Sequence, residues 1–130
     1  MNDRFKFRVW DKGNKRYQGT QDWQPYLDTD GDVCFINTDD VRDYPPENYY
    51  IIEQCTGLKD KNGNLIYEGD IVYDSVYENN FVVSWDNDRT GYILSANNTN
   101  HIDYLSKILI ERHNLKIIGN IHEQAEQKDK

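Results

Sequence analysis

The 130 residues carry 23 acidic and 15 basic side chains, a formal net charge of −8, and 37% of the chain is hydrophobic. That length is one domain's worth, enough to take about two-thirds of the unfolded surface out of water without a metal or disulfide. No stretch approaches the ~18 to 20 uninterrupted apolar residues of a membrane span, and the opening MNDRFKFRVWD has charges where a secretory signal needs its apolar run, so a soluble, cytoplasmic protein is expected.

Turn signals recur at short intervals with apolar or aromatic alternation between them, the pattern of antiparallel β structure. Phe5, Phe7 and Val9 alternate with Lys6, Arg8 and Trp10, DKGNK turns the chain, and Tyr17 begins a return strand. A second hairpin centres on Asp30-Gly31, with Trp23, Tyr26 and Leu27 before it and Val33 to Ile36 after. Tyr44-Pro45-Pro46 cannot continue a sheet, because two prolines remove two ladder donors, so it closes a connecting loop. Tyr49 to Cys55 reads as a strand, Asn62-Gly63 reverses the chain into Leu65 to Tyr67, and Gly69-Asp70 leads into Ile71 to Tyr77. Phe81, Val83 and Trp85 form its hairpin partner, and Tyr92 to Leu94 adds a short strand. Ile102, Leu105, Ile108 and Leu109 are spaced as one helix face, which predicts a short helix between Asn100, its N-cap, and His113. Leu115 to Ile121 reads as a closing strand with Leu115, Ile117, Gly119 and Ile121 on one face, and residues 123–130 have nothing to bury and should fray.

Charge is unevenly placed. Arg4, Lys6, Arg8, Lys12, Lys15 and Arg16 face only two acids in the first sixteen residues, whereas Asp28, Asp30, Asp32, Asp39, Asp40, Asp43 and Glu47 surround Arg42 alone. An acidic protein repels nucleic acid at long range, so binding there would be local to the basic opening segment. Cys34 and Cys55 are far apart and outside any C-x-x-C arrangement, which reads as two buried thiols.

Motifs that carry chemistry fail on inspection. Asp28-Thr29-Asp30-Gly31-Asp32 and Asp60-Lys61-Asn62-Gly63-Asn64 offer oxygens at the first, third and fifth positions of a calcium loop. They lack the glycine at position six and the glutamate at twelve, so both read as hairpin turns. His122-Glu123-Gln124-Ala125-Glu126 has no second histidine for zinc, and no phosphate loop or nucleophile elbow is present. The sequence therefore predicts no enzyme, no cofactor and no metal. Ten tyrosines and three tryptophans exceed what a core this size needs, and surplus aromatics mark recognition surfaces. Tyr44, Tyr49, Tyr50, Tyr73, Tyr77 and Trp85 are the candidate partner-binding residues, with cross-strand pairing as the alternative reading. Arg8, Trp10, Lys15, Arg16 and Tyr17 are the nucleic-acid candidates, the cations for phosphate and the rings for bases.

Three segments in order, KFRVWDK at Lys6 to Lys12, TGLKDKNGNLIYEGDIV at Thr56 to Val72 and IIGNIHE at Ile117 to Glu123, resemble the YopX family of small phage and prophage proteins. The resemblance implies a mainly β fold: a small SH3-like β-barrel over residues 56–122, additional N-terminal hairpins over residues 4–55, and one short helix, in a single domain of residues 1–124. The chain departs from the family's common ending, IGNIYENPELL, with IHEQAEQKDK. The resemblance implies a phage or prophage origin, and the aromatic surface then favours a non-enzymatic accessory protein that binds an unidentified phage or host protein in the bacterial cytoplasm, with a second copy of the chain as one occupant of that surface. The alternative is a nucleic-acid-binding barrel, or one whose acidic loop mimics DNA.

Overall fold

In a computed structural model of the chain, residues 3–18, 23–37, 39, 42–43, 49–96, 98–100 and 102–123 are described. They fall into two compact units, Phe7–Glu53 and Met1–Lys6 with Gln54–Lys130.

In the first unit β1 (Phe7–Asp11) pairs antiparallel with β2 (Arg16–Tyr17), placing Trp10 opposite Tyr17. On its other side β1 meets β6 (Tyr50–Lys59), which contributes residues 50–53 here. β3 (Trp23–Leu27), β4 (Val33–Asn37) and β5 (Arg42–Asp43) form a second antiparallel sheet in that order. Pro25 lies on β3, an edge strand, where its missing N–H removes no internal ladder bond. Val9, Cys34 and Phe35 are buried.

The remainder of β6 pairs with β7 (Leu65–Tyr67). Cys55 lies opposite Tyr67 and Lys59 opposite Leu65, so the three residues 56–58 face Ile66 alone. Two contacts stabilise that bulge: the Thr56 hydroxyl donates to the Ile66 carbonyl at 2.8 Å and accepts the Leu58 N–H at 3.1 Å. Five strands, β8 (Asp70–Asp74), β9 (Asn79–Asp86), β10 (Gly91–Ser95), β11 (Ile102–Tyr104) and β12 (Lys116–Asn120), make one antiparallel sheet in the order β11-β10-β9-β8-β12. It curls into a half barrel with one α-helix, α1 (Lys107–His113), and the chain is mainly β as expected.

Register decides which face is apolar. Val72 opposite Phe81 and Val83 opposite Leu94 put these four on one side. They pack with Ile66, Ile110 and Leu115, all seven nearly inaccessible to water. Cys55 is a buried free thiol, as is Cys34 in the other unit.

Two expectations are corrected. The helix starts at Lys107 with Ser106 as N-cap, its hydroxyl accepting the Leu109 N–H at 3.1 Å, and Ile102 lies instead in β11 opposite Ser95. A hydroxyl one residue before the first turn satisfies an orphan donor that Asn100 is too distant to reach. Ile110 is buried while Ile108 is exposed, so the buried stripe also differs from the predicted one. The closing strand bulges between Ile117 and Gly119, which moves Gly119 to the opposite face, and residues 121–123 are helical.

Both calcium lookalikes are the same hairpin turn. In each, the first aspartate accepts backbone N–H groups two and four residues on: Asp30 and Asp32 to Asp28, Asn62 and Asn64 to Asp60. Gly31 and Gly63 take φ of +86° and +87°. A Cβ built on Gly63 meets nothing within 4 Å, so the strain of Gly63→Val is purely backbone. The substitution is expected to cost about 1 to 2 kcal/mol, read by urea unfolding against wild type.

Candidate functional site

The basic opening segment is held by internal contacts. Glu53 is buried, and its Oε1 accepts the Arg8 Nε–H at 2.7 Å and the Tyr17 hydroxyl at 2.8 Å. The Arg8 guanidinium lies 4.5 Å over the Tyr17 ring, and Trp10 meets that ring edge-on at 5.0 Å. Three of the five nucleic-acid candidates thus form a packed network around a buried carboxylate, and Lys15 and Arg16 remain exposed at the β1–β2 turn.

That turn is fixed by Asp11, which is buried and accepts the N–H groups of Gly13 at 3.0 Å and Asn14 at 3.1 Å and the Asn14 amide at 2.8 Å. Burial pushes its pKa up, but the Asn14 side chain, the two backbone donors and Arg16 outweigh it and hold Asp11 below the usual carboxylate range. Asp86, hydrogen-bonded by the Arg89 side chain, is lowered as well. A folded-state pKa below the unfolded one gives stability that is present above the unfolded value and lost as pH falls through the folded value. The melting temperature should therefore hold between about pH 5 and 7 and fall below about pH 4, and Asp11→Asn should shallow that acid limb.

Within the second unit the aromatic candidates Tyr73, Tyr77 and Trp85 do not converge. Tyr44 lies outside the described residues. Tyr49 and Tyr50 meet at 4.7 Å in the first unit, with Tyr50 also against Phe35 at 4.8 Å. In the second unit Tyr77 sits in the β8–β9 turn against His113 and Phe81, and Trp85 sits at the other end of β9, about 20 Å away at ~3.3 Å per strand residue. Trp85 is edge-on to Tyr92 at 5.1 Å and its Nε1–H donates to Asn87. Tyr73 pairs with Lys116, whose ammonium lies 5.9 Å from the ring, on the opposite face from Trp85.

A different surface gathers apolar groups within the second unit. Tyr104, Ile93 and Ser84 form one row across the sheet, and Ile102, Ser95, Val82 and Ile71 the next. Paired residues share a face, so all of these lie on the side of the sheet opposite Phe81, Val83 and Leu94, where Ile71 and Ile93 are themselves buried. At its β11 end Ile102 is 44% and Tyr104 56% exposed. Among the described residues β11 pairs only with β10, which makes it an edge strand of this sheet. The Ile102-Asp103-Tyr104 alternation was the available signal, masked by the helical spacing downstream.

Asp74, Ser75 and His113 are brought together but not as a catalytic set. Asp74 Oδ2 lies 2.6 Å from His113 Nδ1, yet the Ser75 hydroxyl donates to the His113 backbone carbonyl at 2.7 Å, not to the imidazole. With Ser75 N–H on the same carbonyl, this cluster clamps the end of α1 to the β8–β9 turn. Among the described residues no three His, Cys, Asp or Glu side chains are grouped to hold a metal ion.

A family model described as YopX protein matches residues 6–127. The chain belongs to the YopX family. Its fold is similar to the crystal structure of protein EF1440 from Enterococcus faecalis, at 26% identity and a TM-score of 0.64, covering 94% of this chain and 96% of that one. Protein yopX from Bacillus subtilis has a similar fold at 17% identity and a TM-score of 0.60, covering 97% and 98%. No curated protein matches the sequence. Among the described residues of this YopX-family chain no helix is long and apolar enough to cross a membrane.

Proposed function

We propose that this YopX-family chain is a non-enzymatic protein-binding module of a phage or prophage, acting in the cytoplasm of its bacterial host. The observation that carries the reading is the outer face of the five-stranded sheet at β11, where Ile102 and Tyr104 are exposed on what is, among the described residues, an edge strand. An edge strand with apolar side chains is the arrangement to which another chain adds a strand, backbone bonds giving affinity and alternate side chains giving selectivity. Tyr supplies contact area at low entropic cost and keeps a polar tip. The nucleic-acid reading is weaker, because Arg8 and Tyr17 are committed to Glu53.

Affinity capture from infected cells tests this, with wild type beside a variant carrying Ile102→Lys and Tyr104→Lys. Both positions are exposed, so the variant should fold. A protein retained by wild type and lost from the variant supports the reading, and identical captured sets contradict it. Light scattering identifies the occupant: a mass near 15.4 kDa leaves the surface to a different protein, and twice that mass assigns it to a second copy.

A further inference from the structure

A cleft of about 400 Å³ lies between the β6–β7 hairpin and α1, lined by Lys59, Asp60 and Lys61 on the hairpin and by Lys107, Ile110, Glu111 and Asn114 on the helix side. That volume falls in the usual range for small-molecule sites, ~300 to 1,000 Å³. The hairpin is fixed relative to the helix end, since the Lys61 N–H donates to the Leu115 carbonyl at 2.9 Å and Asp60 accepts the Ile117 N–H at 2.9 Å.

In an acidic chain, this cleft has three lysines against two acids, Asp60 and Glu111. The protein has 23 acids, yet among the described residues none comes within ion-pair distance of Lys59, Lys61 or Lys107. The neighbouring Asp60 is turned inward, its two oxygens taken by the backbone N–H groups of Asn62, Asn64 and Ile117. Lys59 and Lys61 on the hairpin and Lys107 on the helix thus place cationic donors on both sides of the cleft, where a bound anion would meet them. Lysine is a compact point charge suited to phosphate, with three donors and freedom to follow its oxygens. Glu111 and Asn114 on the helix side oppose filling the whole cleft with negative charge and can accept from hydroxyl groups.

We propose that this cleft binds a phosphorylated small molecule of nucleotide size, its phosphates held by Lys59, Lys61 and Lys107 and its hydroxyl-bearing part by Glu111 and Asn114. The site is separate from the β11 surface and does not depend on it.

Calorimetric titration of the full chain at low ionic strength tests it, using ADP, pyrophosphate and adenosine as probes. Two variants are compared: Lys59→Gln with Lys61→Gln and Lys107→Gln, and a charge-matched control with Lys12→Gln, Lys15→Gln and Arg16→Gln. All six side chains are exposed, and thermal melts check that both variants fold. The expected result is saturable ADP binding with Kd below about 1 mM, weakened about tenfold or more in the first variant and by less than about threefold in the control. Adenosine should not bind, and pyrophosphate should bind more weakly than ADP. Absence of saturation by ADP, equal loss in both variants, or pyrophosphate binding as tightly as ADP overturns the proposal. A single-stranded oligonucleotide that binds where ADP does not overturns it too, in favour of nucleic acid.

Discussion

Replacing Asp74 with alanine is expected to destabilise the chain by about 3 to 5 kcal/mol, a large part of the ~5 to 15 kcal/mol that holds a domain folded. Its side chain is 1% exposed, and its Oδ1 accepts the N–H groups of Val76 at 2.9 Å and Tyr77 at 3.0 Å while Oδ2 meets the His113 ring nitrogen. Alanine leaves two backbone donors and an imidazole without their partner around a side chain that is itself shielded from water, and each unsatisfied group costs about 1 to 3 kcal/mol. Asparagine keeps one acceptor oxygen for the two backbone groups, and its amide can donate to a ring nitrogen, so Asp74→Asn should cost about half as much. Urea unfolding measures both. An alanine variant within about 1 kcal/mol of wild type would show that the clamp between β8 and α1 contributes little.

Asp60→Ala should cost nearly as much, about 3 to 4 kcal/mol, because one 5% exposed carboxylate serves three backbone donors. Two of them close the β6–β7 turn and the third, Ile117, lies in the closing strand, so the loss should loosen β12 as well as the hairpin. The same geometry predicts the metal response. Both carboxylate oxygens already accept hydrogen bonds from the backbone, so millimolar calcium should leave the wild-type melting temperature unchanged. A rise of several degrees with calcium and not magnesium would contradict this account of the turn.

These two residues show where the sequence was legible and where it was not. The hairpins could be read because Asp-Gly and Asn-Gly demand a positive φ, and Gly31 and Gly63 have it. What the acidic residues do inside those turns could not be read. Asp11, Asp60, Asp70 and Asp74 are buried turn caps, so part of the net charge that looks like solvation is structural. Their partners are as near as two residues and as far as 57, and only the nearer ones leave a local pattern. The helix was misplaced because the apolar residues before Ser106 happen to continue its period, and only the register with β10 assigns Ile102 to a strand. Arg8 was read as a free cation because Glu53 lies 45 positions away. The lysine cleft was invisible for the same reason, since Lys59 and Lys107 come together only when α1 packs over the hairpin.

Hydrogen exchange on the chain alone and in complex with its captured partner tests the proposed contact surface most directly. The account predicts slowed exchange at β10 and β11, residues 91–95 and 102–104, with Tyr49 and Tyr50 unaffected. Unchanged exchange at β10 and β11, with protection confined to other residues, would contradict it.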